Sequence, residues 1–183
     1  MKSFPILAVL LATAISSLAA SPFNVKSFGA KGDGFTLDTL ALQKAVDAAR
    51  AVGGGVVLIP QGQFMIDPIT LASGVNLHLE PGAVILLENK ISRYPVLHNR
   101  YADGITATGC HNVEITGSGT IDGLGEVWWQ SFRSNPHMIH RPYLIKFQNC
   151  TNDLGPAFGR ITPCHGPTSE QFLFRDPQAC IVT

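Results

Sequence analysis

From Val56 to Leu87 the sequence keeps a period of two through four short runs, and a tight glycine or proline corner breaks the pattern each time. The runs are Val56–Ile59, Gln63–Ile66, Val75–Leu79 and Ala83–Leu87, and the corners contain Pro60-Gln61-Gly62, Asp67-Pro68, Ser73-Gly74 and Pro81-Gly82. Alternation over four or five residues turns one side of a strand to a core and the other to water. In Asn76-Leu77-His78-Leu79-Glu80, Leu77 and Leu79 are inward and His78 is outward, which makes His78 an exposed strand residue rather than a ligand. Strands this short cannot bury an apolar face alone. They need neighbours above and below at ~4.8 Å, as in a solenoid where each turn of the chain adds a strand to parallel sheets. A β-sandwich is the competing arrangement. It would favour Asn-Gly or Asp-Gly hairpins, whereas these corners suit bends between sheets better.

Before this region, Phe23–Phe28 alternates as a strand and Gly29–Gly34 is a run of turns. A phosphate-cradling loop is excluded there by the absence of a Gly-Lys-Ser/Thr or GxGxxG spacing. From Leu37 to Val52 the period is helical: Leu37, Leu40, Ala41, Val46 and Ala49 share a face, Thr36 is placed to cap the start, and Gly53-Gly54-Gly55 stops the helix. Asp38 and Asp47, with Gln43 and Lys44, read as its solvated face. Such a helix would cap the open end of the solenoid.

After Leu87 the pattern is interrupted. Glu88 to Asp103 reads as a long loop carrying Arg93, Tyr94, His98, Arg100 and Tyr101. Loops projecting from a rigid scaffold hold binding residues, and aromatic and basic groups would suit an acidic sugar; a solvated connection is the alternative. Strands resume at Gly104–Ala107, Val113–Thr116 and Thr120–Ile121. The glycine-rich stretch Gly117–Trp129 then ends in both tryptophans of the chain, and a second loop, Ser131–Pro142, carries Arg133, His137, His140 and Arg141. A strand over Tyr143–Gln148 follows. Gly109-Cys110-His111-Asn112 and Asn149-Cys150-Thr151-Asn152 repeat in outline, yet from Asp153 the alternation vanishes and four prolines appear. The expected organisation is a leader at 1–20, solenoid rungs over 21–152, and an atypical, irregular tail at 153–183.

The leader rests on Met1-Lys2, an apolar run from Phe4 to Leu18, and Ser17-Leu18-Ala19 as a small-x-small cleavage site. This is the form of a secretory signal, with a mature start between Ala20 and Pro22 and an extracellular location. No later stretch is long and apolar enough to cross a bilayer. With 13 basic and 13 acidic residues the chain has no charge bias toward nucleic acid. Secretion makes disulfides permissible for Cys110, Cys150, Cys164 and Cys180, and no CxxC arrangement suggests zinc. Cys110 and Cys150 fall at matching places on neighbouring rungs, either bridged or stacked as thiols. Asn149-Cys150-Thr151 is a glycosylation acceptor pattern at Asn149. No clustered carboxylates argue for calcium, and no cofactor is expected.

Taken together, Phe28-Gly29-Ala30-Lys31-Gly32-Asp33-Gly34, the helix with Gln43 and Asp47, Gly53-Gly54-Gly55-Val56-Val57, the Gly-Thr-Ile-Asp-Gly-x-Gly stretch ending in Trp128-Trp129, and Arg141-Pro142-Tyr143-Leu144-Ile145 resemble the N-terminal part of polygalacturonase-type glycoside hydrolases, family 28. The resemblance covers about Phe23 to Asn152. It implies an all-β fold, a partial right-handed parallel β-helix with an N-terminal capping helix. It also implies a secreted protein acting on pectic galacturonan, and a monomer is expected.

The family's inverting hydrolysis needs one carboxylic acid to protonate the leaving oxygen and a carboxylate ~6.5–9.5 Å away to activate water. The motifs that supply these groups in the family, Asn-Thr-Asp, an Asp-Asp pair, Gly-His-Gly and Arg-Ile-Lys, do not occur in this sequence, so no residue is assigned a catalytic role. Arg160-Ile161-Thr162 lacks the lysine and Cys164-His165-Gly166 lacks the first glycine. Asp122 and Glu126 flank the central glycines and Asp103 starts a strand, but Asp122 reads as an acceptor for turn amides. The expectation is a polygalacturonase-like chain departing from its family after Asn152, through a change such as a retained intron or frameshift, and inactive as it stands. A non-catalytic wall-polysaccharide binder using Tyr94, Tyr101, Trp128, Arg133 and the loop histidines is the alternative, and a structural β-helix is another.

Overall fold

The computed structural model describes residues 21–98, 100–134, 141–151, 154–162 and 181–182, with backbone alone at 97, 132, 154–162 and 181–182. The expected leader, His137, His140, Cys164, His165, Gly166 and Cys180 lie outside the described residues. Strand β1 (Phe23–Asn24), a 3-10 turn, β2 (Asp33–Leu37) and helix α1 (Thr39–Ala51) open the chain. The next coil is β3 (Gly55–Ile59), β4 (Gly62–Ile66) and β5 (Ile69–Thr70). A further coil holds β6 (Val75–Leu79), β7 (Ala83–Leu87), the hairpin strands β8 (Val96–Leu97) and β9 (Arg100–Tyr101), and β10 (Ile105–Thr108). Then come β11 (Glu114–Asp122), α2 (Glu126–Ser134), β12 (Ile145–Gln148), β13 (Leu154–Thr162) and β14 (Ile181–Val182).

The coils stack in parallel on three sides. Phe23, Val57, Leu77 and Ile115 share one row of the first side. Phe64, Ile85 and Ile121 share a row of the second, and Ile69, Ile105 and Ile145 a row of the third. Leu77, Ile115, Phe64, Ile85, Ile121, Ile105 and Ile145 are all fully buried. Like side chains therefore lie on like side chains, and each such Leu or Ile contributes on the order of 1.5–3 kcal/mol. This is a partial right-handed parallel β-helix. Strand β11 runs round a corner of it, pairing with β6 over Glu114–Gly117 and with β7 over Thr120–Asp122.

Helix α1 closes the first coil with Ala41, Leu42, Ala45, Val46 and Ala49 buried beneath it. Its Gln43 amide makes both backbone bonds of an absent strand: Nε2 donates to Thr70 O at 3.0 Å and Oε1 accepts from Thr70 N at 3.1 Å. The open edge of β5 is thereby satisfied by a side chain.

Several sequence expectations change here. The strand expected over Phe23–Phe28 ends at Asn24, whose side chain accepts from Lys26 N and starts the 3-10 turn Val25–Phe28. The helix begins at Thr39, not Leu37, and Leu40 points to solvent. Asp33 holds the residues before the helix in a bulge of β2, where Gly34 has φ 80°: its Oδ1 accepts from Phe35 N and Thr36 N, and its Oδ2 accepts from Thr36 Oγ1. These bonds, the Thr36 amide first, lower the Asp33 pKa to about 2. Asp38, read as part of a solvated face, is buried, and its two oxygens accept from Lys31 N at 2.7 Å and Gly32 N at 2.8 Å, pinning the glycine turn. Finally, Leu154–Thr162 pairs in parallel with β11, within the stretch expected to be irregular. The outer edge of β11 offers unpaired N–H and C=O groups, and backbone hydrogen bonding of this kind does not require an alternating side-chain pattern.

Candidate functional site

A cleft of about 330 Å³ lies over the third side, with Ile69, Thr70, Thr106, Thr108 and Lys146 from the sheet and His98, Arg100 and Tyr101 from the β8–β9 hairpin. Register builds its floor: Thr70, Thr106 and Lys146 are paired positions on β5, β10 and β12. Thr106 Oγ1 donates to Ile69 O at 3.1 Å, leaving its lone pairs to face Thr70 Oγ1 at 3.2 Å. The sequence reading did not single out Lys146 or these threonines. Alternation places Lys146 outward on its strand, but only the coil lengths bring the three residues into one row.

Charge in the cleft is unevenly committed. Lys146 Nζ sits 3.2 Å from Asp103 Oδ2, and Asp103 Oδ1 accepts from Tyr143 N at 2.8 Å. The Arg100 guanidinium lies over the Tyr143 ring, 4.9 Å from its centroid. Among the described residues Arg100 has no carboxylate partner. Among the described lining residues, Arg100 and Lys146 stand against Asp103, an excess of positive charge of the sign that favours anions.

The wall is anchored at two places. Arg93 clasps Asp67 through Nε–Oδ1 and Nη2–Oδ2, both 2.8 Å, and Asp67 N donates to Thr39 Oγ1 at 2.8 Å. The Asp67 hydrogen bonds and charge hold the Arg93 pKa above its ordinary value. Above this clasp, Trp128 makes edge contacts with Tyr94 at 4.9 Å and Tyr101 at 5.0 Å. Tyr94 and Trp128 are buried, which removes them from the contact set of the alternative wall-polysaccharide binder. They join the 88–103 loop to the start of α2, and of the three aromatic residues only Tyr101 reaches the cleft. Arg133 lies over Trp129 at 4.6 Å on α2, where the sequence reading has a loop from Ser131.

The acids near the glycine-rich stretch are engaged locally. Asp122 Oδ1 accepts from Leu124 N at 2.9 Å, in keeping with its reading as a turn acceptor, and Glu126 Oε1 accepts from Gln130 Nε2 at 2.8 Å. Among the described residues Asp103 is the one carboxylate lining the cleft, and no group of three or more metal-ligating side chains occurs.

His78 does face outward, but within a polar chain on the first side. His78 Nδ1 is 2.8 Å from Thr116 Oγ1, which donates to Asn76 Oδ1 at 2.8 Å, while Asn76 Nδ2 donates to Glu114 Oε2 at 3.2 Å. Cys110 and Cys150 occupy matching places on neighbouring coils, next to the paired His111 and Thr151, and are not joined to each other. Asn149 stands exposed at a corner with φ 55°.

Comparison with known proteins fits this architecture. A probable polygalacturonase of Vitis vinifera is 37% identical over 158 residues, covering 77% of this chain and 32% of that protein. An exo-poly-alpha-D-galacturonosidase of Dickeya chrysanthemi is 32% identical over 154 residues, covering 75% and 25%. The structure of a family 28 exopolygalacturonase from Yersinia enterocolitica superimposes with a TM-score of 0.67 at 25% identity, covering 79% of this chain and 36% of that one. The chain thus spans a quarter to a third of the length of the curated relatives it matches. Among the described residues no helix is long and apolar enough to cross a membrane. Residues 22–120 match the family described as rhamnogalacturonase A/epimerase, pectate lyase-like, and the chain belongs to that family as a polygalacturonase-type member.

Proposed function

We propose that this chain forms the N-terminal coils of a secreted polygalacturonase-like glycoside hydrolase, and that these coils bind pectic galacturonan. The observation that carries the reading is the cleft. It combines cations, hydroxyl groups and an aromatic edge on a rigid floor, the chemistry that suits a polyanionic sugar chain. Its place on a scaffold shared with proteins named polygalacturonase supports the substrate class.

The described part of the chain binds but does not cleave. Inverting hydrolysis needs two carboxyl groups across the scissile bond, ~6.5–9.5 Å apart. Among the described residues the cleft has Asp103 alone, and its oxygens are taken by Lys146 and the Tyr143 amide. Secretion is inferred from the apolar leader, and the chain is expected to be a monomer. Asn149, exposed at its corner, is an acceptor for a glycan in a pathway that glycosylates. The test is retention of the purified chain on a polygalacturonate column, alongside measurement of new reducing ends. Retention without new reducing ends is expected. Release of reducing ends, abolished when the chain is removed by immunodepletion, would overturn the non-cleaving part. Passage through the column unretarded would overturn the whole reading. N-terminal sequencing of material from the medium should begin between Ala20 and Pro22.

A further inference from the structure

We propose that Arg100 is the specificity-determining residue of the cleft, reading the free carboxylate of a uronate unit and rejecting its methyl ester. The inference rests on the proposed binding of pectic galacturonan. It starts from the different states of the two cleft cations. Lys146 is committed to Asp103 at 3.2 Å, and Asp103 is held in turn by the Tyr143 amide, so this pair is a fixed part of the floor. Arg100 has no such partner among the described residues.

Its surroundings orient it without neutralising it. The guanidinium lies over the Tyr143 ring at 4.9 Å. The ring face attracts the cation without neutralising it, and the guanidinium keeps the N–H donors that match a carboxylate with two parallel hydrogen bonds. The backbone that carries it is restrained from both ends. Arg93 is clasped to Asp67 seven residues before it, and the next residue, Tyr101, packs on buried Trp128. Arg100 is therefore a cation held in place before a ligand arrives, so little ordering cost opposes the contact.

A methyl ester removes both the charge and one of the two acceptor oxygens that the fork requires. A neutral ester leaves the guanidinium edge with a poorer partner inside a partly enclosed site, so the penalty falls on the esterified chain. Thr70 and Thr106, whose hydroxyls line the same row, are neutral and supply no comparable discrimination.

The experiment is equilibrium titration of the full chain with trigalacturonate and with its fully methyl-esterified form, for wild type, Arg100→Gln and Arg100→Lys. Wild type is expected to prefer the acid. Arg100→Gln should weaken acid binding about tenfold, the scale of one charge-assisted pair, and leave ester binding unchanged. Arg100→Lys, which keeps the charge but not the fork, should fall between them, and it decides the matter if Arg100→Gln fails to fold. Raising the salt concentration should weaken binding of the acid alone. Equal affinity of wild type for both ligands, or an unchanged acid preference in the variants, overturns the role of Arg100 while leaving the cleft as a galacturonan site. Failure of wild type to bind either ligand overturns the proposed function, and this inference with it.

Discussion

Replacing Gly117 with alanine places a methyl group directly against the carbonyl oxygen of Leu79, with the Leu79 carbonyl carbon at 2.8 Å and its nitrogen at 2.9 Å. Gly117 is the residue at which β11 leaves β6 to run round the corner, and its φ is +103°. Positive φ costs an L-residue about 1–2 kcal/mol, and forcing an extra methyl into packed structure about 1–3 kcal/mol more. The obstacle is backbone of the neighbouring coil, which cannot swing away as a side chain would. A loss of about 3 kcal/mol or more is expected, reduced by about 0.4–1 kcal/mol for the narrower unfolded ensemble of alanine. Gly109 supplies the control. Its φ is +63°, yet nothing lies within 4 Å of the added methyl. Gly109→Ala should cost only about 1 kcal/mol. Gly109→Asn should be close to neutral, since Asn149 takes φ 55° just after Gln148, the residue paired with Thr108. Urea denaturation followed by tryptophan fluorescence gives all three values from the midpoints. Equal losses for Gly117→Ala and Gly109→Ala would refute the claim that coil-to-coil contact, rather than backbone conformation, sets the cost.

Asp33 links stability to pH. Its folded pKa of about 2 lies below the ordinary 3.8, so the stabilisation is present above 3.8 and is lost as the pH falls toward 2; the gap between wild type and Asp33→Ala in denaturation midpoint should close over that window. On the first side, the ionised Glu114 carboxylate only accepts, which orients the Asn76 amide, then the Thr116 hydroxyl, and so requires His78 to donate from Nδ1. Nitrogen chemical shifts should report neutral His78 as the Nδ1–H tautomer, with a shift toward Nε2–H in Thr116→Val; an Nε2–H tautomer in wild type would break the chain of reasoning. Gln43→Ala should accelerate hydrogen exchange at the Thr70 amide and cost about 1 kcal/mol, with unchanged exchange arguing that water replaces the glutamine without loss.

The coils were legible because their signal is local. Alternation in Val75–Leu79 and Ala83–Leu87 needs only the pleat of a strand to become a burial pattern, and the structure buries Leu77, Leu79, Ile85 and Leu87 accordingly. The cleft was legible only in part. Arg100, His98 and Tyr101 stand out by residue type in a stretch without periodicity, whereas Lys146, Thr70 and Thr106 converge through register between coils some forty residues apart. Tyr94 and Trp128 show the converse error. An aromatic residue in an irregular stretch carries no alternation to say which way it faces, and here both face inward. Asp38 was missed for a related reason, because its partners are backbone amides of a turn that the helical pattern does not reach. Helix α2 was obscured by the glycines immediately before it, although Glu126 and Gln130 have the spacing of neighbours on a helix.

The closed end made by α1 and Gln43 also gives the molecule a direction in time. The cap and first coil precede the later coils in the chain, so on a ribosome they emerge before the strands stacked on them. Each later coil then meets a finished surface whose rows already specify its register. A chain built this way can fold in the order in which it is synthesised, with little waiting for distant partners.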